Sequence, residues 1–347
     1  MNISPLKIAS HSPTRFILTV LFGLALLAPL PYVVIQPSTP ENVLGKLISI
    51  SDTETFPVSK GSELFITAVL VSDPSSYISG FEVLKSWLSG SRAVFPRAEI
   101  YPPSQSDQEI SAENKAEMSN SQNDAVAAAL NFLGYQLTKS VVLNGTRPGS
   151  DAQGRLLPND ALVEIDGERI NSTTQIQSII TRHSLNELLK VVVKRSGKSG
   201  EIQELPFTIK LTPNEVGKPA LGIYVQNAYE FPFTVKFNIN KTGGPSGGLV
   251  FALGIIEKLT AEDFLRGRKI AGTGTIDSDG NVGPIGGINE KMIGAAGAGA
   301  TIFLAPADNC SEIKQVPKNL LVIPVATLKD AVSALRNTRP ESIAGCR

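Results

Sequence analysis

Histidine is almost missing from this 347-residue sequence, with His11 and His183 the only two. One precedes a long apolar run, and the other follows Thr181-Arg182 at the end of an amphipathic helix pattern, an ordinary solvated position. Hydrolase chemistry built on an imidazole base is therefore poorly served, because any Ser-His-Asp arrangement would have to use His183. Cysteine is equally scarce. Cys310 and Cys346 lack metal-ligand spacing and no His-Glu-x-x-His run occurs, so no metal and no cofactor is expected. Net charge is missing too: 32 Lys plus Arg balance 32 Asp plus Glu, which leaves no global field to gather nucleic acid. A P-loop is also lacking, since the one Gly-Lys-Ser, Gly197 to Ser199, has Val192 where the upstream glycine belongs.

What the sequence does hold begins with Phe16 to Ile35, twenty positions without a charge, about the length that crosses a bilayer core of roughly 30 Å. Residues 16–36 are expected to be a transmembrane signal anchor. Lys7 and Arg15 precede the run and Glu41 is the first charge after it, which puts the tail, 1–15, in the cytoplasm and the remainder outside. The expected localisation is the cell membrane, single-pass. In an extracytoplasmic compartment two cysteines commonly pair, so a Cys310–Cys346 disulfide is expected.

Strand-like runs follow at Lys46 to Ser51 and Glu63 to Val71, then a helical pattern from Phe81 to Leu88 carrying the only tryptophan, Trp87. These elements are too few for a core of their own, so residues 42–125 are expected to pack with the C-terminal region. Between Pro102 and Asp124 the composition turns polar, but Met118, Val126, Ala129, Leu130 and Leu133 recur at helical spacing, and a helix leading into the next domain is expected.

Residues 126–213 resemble a PDZ domain. The elements that carry the resemblance are the L-x-P-x-D turn at Leu156 to Asp160, the strand Ala161 to Ile165, the Asp166-Gly167 hairpin turn and the helix start "INSTTQIQSII". Asn159 stands where that family usually has glycine. The resemblance implies capture of an extended peptide by strand addition. Its carboxylate-binding loop is expected before Val141 to Leu143, although no Gly-Leu-Gly-Phe is found there.

Two Gly-rich runs remain, Gly243-Gly244-Pro245-Ser246-Gly247-Gly248 and Pro284-Ile285-Gly286-Gly287-Ile288-Asn289-Glu290-Lys291. Taken alone, either serves as a strand-to-helix turn, with Ser246 an N-cap. Together they set one serine before the apolar helix pattern Leu249, Val250, Leu253, Ile256, Leu259 and one lysine in the first turn after a capping Asn289. Backbone N–H groups at the serine turn, those of Gly243, Gly244 and Ser246, are candidates to bind an oxyanion. A lysine base must lose its proton near neutrality, which costs about 4–5 kcal/mol against the charged form and has to come mainly from burial.

The stretch from "KTGGPSGGLVFALGIIEKL" to "IAGTGTIDSDGNVGPIGGINEKMIGAAGAGATIFLAP" resembles the proteolytic domain of Lon-type serine proteases. With the apolar run and the PDZ-like segment, the whole chain resembles bacterial membrane-anchored, PDZ-containing Lon-like proteases. The resemblance implies that Ser246 is the nucleophile, Lys291 the general base of a Ser-Lys dyad, and Thr273 a threonine that hydrogen-bonds near the lysine. It also implies a homo-oligomeric ring. Two positions depart from the ATP-dependent pattern: Gly243 replaces an aspartate and Thr275 a glutamate. The expected architecture is α+β, with residues 214–347 forming the proteolytic domain on a mixed sheet closed by a helix from Ala326 to Leu335. The expected function is ATP-independent endopeptidase action on unfolded or flexible envelope and membrane proteins. A catalytically inactive peptide-binding scaffold is the alternative.

Overall fold

The computed structural model describes residues 13–73, 76–101, 107–197, 201–214, 216–239, 244–337 and 345–346. It is a mixed α and β structure with three apolar clusters, one in the PDZ-like region and one on each face of the C-terminal sheet.

The C-terminal region is built on a five-stranded mixed sheet in the order Leu321–Val325, Ile302–Pro306, Lys269–Gly272, Glu63–Ile66, Glu41–Asn42. The first four strands are parallel and the last is antiparallel. Two of the five therefore come from the N-terminal segment, and Ile48–Ser51 also pairs with Thr234–Phe237. Alternation along the strands sends side chains to opposite faces. Leu64, Ile66, Ile270 and Leu304 join the core beneath the helix Gly248–Leu259, while Phe65, Ala271, Phe303 and Ala305 pack on the side of the helix Ile288–Gly297. The serine turn and the lysine helix thus approach the sheet from opposite faces. The helix Leu328–Arg336 closes the first core, capped by Thr327 and Asp330.

The polar stretch before residue 126 forms the first turns of one long helix, Asp107–Phe132. Its buried Ala125, Val126, Ala129 and Leu130 share the core of Gly248–Leu259. The expected boundary at 126 falls inside this helix, because its small apolar residues fit against the serine helix.

The PDZ-like region is a sheet in the order Ile202–Lys210, Leu188–Ser196, Ala161–Ile165, Thr138–Thr146, Ile223–Glu230. The last strand lies beyond residue 213, where the sequence placed the end of this region. The turn preceding Ala161–Ile165 has Asn159 at φ 70°, the left-handed conformation that glycine takes freely and asparagine tolerates. Asp160 is buried and held by Arg195 through two contacts of 2.6 Å. The helix Thr173–Ile180 starts with a capping box of Ser172 and Gln175.

The apolar run Phe16–Ile35 is not one helix. The helix Pro13–Leu27 ends before Pro29 and Pro31, whose rings cannot continue it. Tyr32–Pro37 is then a strand between Val69–Val71 and Ala93–Pro96, with Val33, Val34 and Ile35 buried. Among the described residues no helix is long and apolar enough to cross a membrane, which corrects the expected span over 16–36.

Cys310 and Cys346 form a disulfide, with 36 residues of sequence separation and Cα atoms 5.1 Å apart. Closing such a loop is expected to stabilise by about 2–4 kcal/mol. The double substitution Cys310→Ser/Cys346→Ser should lower the urea midpoint accordingly, and reductant should lower the wild type to the same value.

Candidate active site

Thr273 follows directly on the central strand Lys269–Gly272, at the carboxyl end of the parallel strands. Its side chain is fully buried. The hydroxyl donates to the Ser246 carbonyl at 3.0 Å, and the Thr273 N–H is tied to Leu304 O. The Gly274 N–H donates to the same Ser246 carbonyl at 2.8 Å. The serine turn is therefore moored to the end of the sheet by two donors.

Gly247 is the N-cap of the helix Gly248–Leu259, with no side-chain cap bond, so Ser246 is not the capping residue. A Cβ on Gly247 would lie 2.3 Å from Ile66 Cδ1, which is why glycine stands there. Among the described residues the Ser246 hydroxyl makes no hydrogen bond, and neither its own N–H nor that of Gly247 finds a backbone acceptor. Those two N–H groups at a helix start are suited to receive an oxyanion. Gly244 sits in the turn at φ 88°, while Gly243 lies outside the described residues. Ser121, on the long helix, donates to the Pro245 carbonyl at 2.8 Å and fixes that peptide plane from the other side.

Lys291 is 3 % exposed and lies on the fourth residue of the helix Ile288–Gly297, its N–H bonded to Gly287 O. The cap is Gly287, at φ 70°, and not Asn289. Asn289 instead donates to Glu312 O and accepts from Lys314 N. Asn309 grips both backbone groups of Ile285 and fixes the loop leading into the helix. Lys291 Nζ donates to Thr273 Oγ1 at 3.2 Å. Burial pushes its pKa down to about 8.

The direction of these bonds matters. Because the Thr273 hydroxyl gives its proton to Ser246 O, it can only accept from Lys291. One N–H of a neutral amine is thereby aimed at Thr273, and the nitrogen lone pair is left free for another proton.

His183 is engaged elsewhere, 2.9 Å from Glu187 in the PDZ-like region. Thr275 lies in a short antiparallel pair with Val282–Gly283. Among the described residues no group of three or more His, Cys, Asp or Glu is placed to hold a metal.

The sequence of the region containing this constellation matches one family. Residues 238–335 match the C-terminal proteolytic domain of Lon protease (S16). The Lon protease of Clostridium beijerinckii is 43 % identical over 68 residues, 18 % of this chain and 9 % of that protein. Lon protease 1 of Bacillus subtilis is 39 % identical over 73 residues, 21 % of this chain and again 9 % of its length. The matched stretch is thus a small part of each Lon relative. Together these matches support a serine-type peptidase. The PDZ domain of an SdrC-like protein from Listeria innocua is structurally similar, at 25 % identity over 25 % of this chain and 92 % of that one, with a TM-score of 0.22.

Thr138–Thr146, which contains Val141 to Leu143, is an interior strand with both edges paired, so nothing can add to it. The edge strand next to the helix Thr173–Ile180 is Ile223–Glu230. It opens on Leu221-Gly222-Ile223, which carries the Leu-Gly pair of the Gly-Leu-Gly-Phe pattern.

Thr273→Val should leave the protein folded and lower kcat about 10- to 100-fold, because the amine loses the partner that orients it. It should also move the alkaline rise of the pH–rate profile to lower pH, since the ammonium form loses its hydrogen bond to Thr273, and Thr273→Ser should restore both.

Proposed function

We propose that the chain is a serine endopeptidase in which Ser246 attacks the peptide carbonyl and Lys291 is the general base. The observation that carries this reading is a buried lysine, its pKa lowered to about 8, joined through Thr273 to the backbone of the serine turn. In the proposed sequence neutral Lys291 takes the Oγ proton as Oγ bonds to the substrate carbon, and the N–H groups of Ser246 and Gly247 receive the oxyanion. The Lys291 ammonium then protonates the departing amine. Water, deprotonated by the same amine, then adds to the acyl carbon, and as the bond to Oγ breaks the Lys291 ammonium returns the proton to Ser246 Oγ, releasing the carboxylate product and restoring the dyad.

The remaining parts of the reading belong to the PDZ-like region and to the N-terminal helix. An extended peptide would add to the outer edge of Ile223–Glu230, beside Thr173–Ile180, and select the substrate. The helix Pro13–Leu27 has no buried residue and is apolar on all sides, so we infer that it inserts into a bilayer and holds the protease at the membrane. No P-loop is present in the sequence, which fits substrates that arrive unfolded or flexible.

The test is cleavage of casein by the detergent-solubilised full chain without ATP, together with labelling by a fluorophosphonate. Cleavage and labelling of Ser246 are the expected results. A folded protein that neither cleaves nor is labelled would overturn the reading.

A further inference from the structure

We propose that the helix Gly80–Ser89 is a second membrane-contacting element, lying on the lipid surface with Phe81, Leu84, Trp87 and Leu88 in the interfacial layer. The proposal rests on the reading that Pro13–Leu27 inserts into a bilayer, and adds to it a separate surface.

Three observations carry it. The first is the two-sidedness of the helix. Val83 and Ser86 are buried against the protein, whereas Phe81, Leu84, Trp87 and Leu88 form a stripe at i, i+3, i+6 and i+7 that is left exposed, Trp87 at 66 % and Leu88 at 78 %. A short helix that has already buried one face has no structural need for four large apolar residues on another. The charged residues lie off the stripe: Glu82 is 3.6 Å from Lys85 and 2.6 Å from Arg92.

The second is its attachment to the apolar helix. The strands Pro29–Leu30 and Ile78–Ser79 pair, with Leu30 opposite Ile78, and the Gly80 N–H donates to Ala28 O at 3.1 Å. At Gly80 the two backbones come so close that a Cβ would sit 2.4 Å from Ala25 O. The start of Gly80–Ser89 is therefore fixed at the end of Pro13–Leu27. Wherever the first helix leaves the lipid, the second begins.

The third is the chemistry of the covered surface. Phe16, Leu18, Phe22 and Leu24 of Pro13–Leu27 are all exposed, and lipid is a solvent that would cover every one of them at once. A stripe continuous with that helix shares its solvent. Its composition fits the boundary layer, with Trp87 and, just upstream, Tyr77 exposed at 70 %. At about 1.5 Å per residue the 15-residue helix Pro13–Leu27 covers only about 22 Å, so an added surface contact also strengthens a short insertion.

Trp87 is the only tryptophan in the chain, so its fluorescence reports this helix alone. The experiment uses the full chain reconstituted into vesicles of phosphatidylcholine and phosphatidylglycerol, with flotation to confirm that it is bound. The expected result is a blue-shifted emission, with acrylamide quenching reduced at least about twofold relative to detergent-free soluble controls of N-acetyltryptophanamide, and strong quenching by lipids brominated near the headgroup end of the chains. Leu84→Asp/Leu88→Asp should abolish the bromolipid quenching while the protein still floats and keeps its melting temperature. Floating protein with Trp87 open to acrylamide and untouched by bromolipids overturns the surface contact while leaving the insertion of Pro13–Leu27 intact. Protein that does not float overturns both. Shielding of Trp87 that persists in dilute detergent and scales with protein concentration assigns the stripe to a second copy and overturns the lipid contact.

Discussion

Ser246→Ala should remove peptide cleavage by at least about 10⁴-fold in kcat while leaving the protein as stable as the wild type, within about 0.5 kcal/mol. The two halves of this result come from different features of the same turn. Chemically, the hydroxyl is the group placed at the start of a helix with two N–H donors unclaimed beside it. Structurally, that hydroxyl holds nothing among the described residues, and the capping position is taken by Gly247. What moors the turn is the Ser246 carbonyl, through Thr273 Oγ1 and Gly274 N, together with Ser121 on the Pro245 carbonyl. Alanine keeps every one of those bonds. Parallel kcat measurement on casein and urea denaturation separates the outcomes: a large loss of stability would mean the serine is a structural residue, and retained cleavage would remove it from the chemistry.

Lys291→Met should abolish cleavage to a similar extent and, at neutral pH, make the protein more stable. Lys291 holds its proton with a pKa of about 8 when folded, against about 10.4 for an unfolded chain. Between those values the unfolded state binds more protons, so wild-type stability rises as pH is raised from about 8 to about 10.4. Below pH 8 the whole cost of the buried ammonium is present, and above about 10.4 it is gone. That cost is on the order of 3 kcal/mol at pH 7. Methionine, of similar length and uncharged, should recover about 1–3 kcal/mol of it at pH 7 and nothing above about pH 10.5. The wild-type profile of kcat/KM should rise tenfold per pH unit through neutrality and level off above about pH 8, since only the neutral amine accepts the Ser246 proton. Stability curves of both proteins at pH 7 and 10.5, with the pH–rate profile, check all three statements. A lysine substitution that destabilises at pH 7 would show that Lys291 is a packing and ion-binding residue, not a strained base.

Ser246 and Lys291 stood out as candidates because Gly-rich turns before apolar helix patterns leave a short-range mark, whereas Thr273 was singled out only through the family resemblance and not by any local pattern of its own. The burial of Lys291 was not, since it is created by the sheet and the opposing helices, which only the fold brings together. Asn289 shows the limit of local rules: it has the composition of a cap, but Glu312 and Lys314 lie within its reach and the positive φ of Gly287 supplies the helix start. The apolar run at Phe16–Ile35 was read as a single span because hydropathy does not distinguish lipid from a protein core. Its second half goes to the core, as Val33, Val34 and Ile35 show. The edge of the PDZ-like sheet was missed for a related reason: which strand is left unpaired is decided by residues 223–230, far in sequence from the region that carried the resemblance.

The central sheet has Glu63–Ile66 beside Lys269–Gly272, two strands about 200 residues apart. During synthesis the first of them leaves the ribosome and waits for the second for about 10–40 s at 5–20 residues per second. Throughout that interval Glu63–Ile66 has only the two-residue strand Glu41–Asn42 beside it and its other edge is open, whereas the strands of the PDZ-like sheet, which lie between the two in the chain, are all made before Lys269–Gly272. The surroundings that bury Lys291 are therefore assembled late. In the proposed mechanism the Lys291 amine would keep its ordinary pKa, and so stay protonated and unable to act as the base, until the chain is nearly finished.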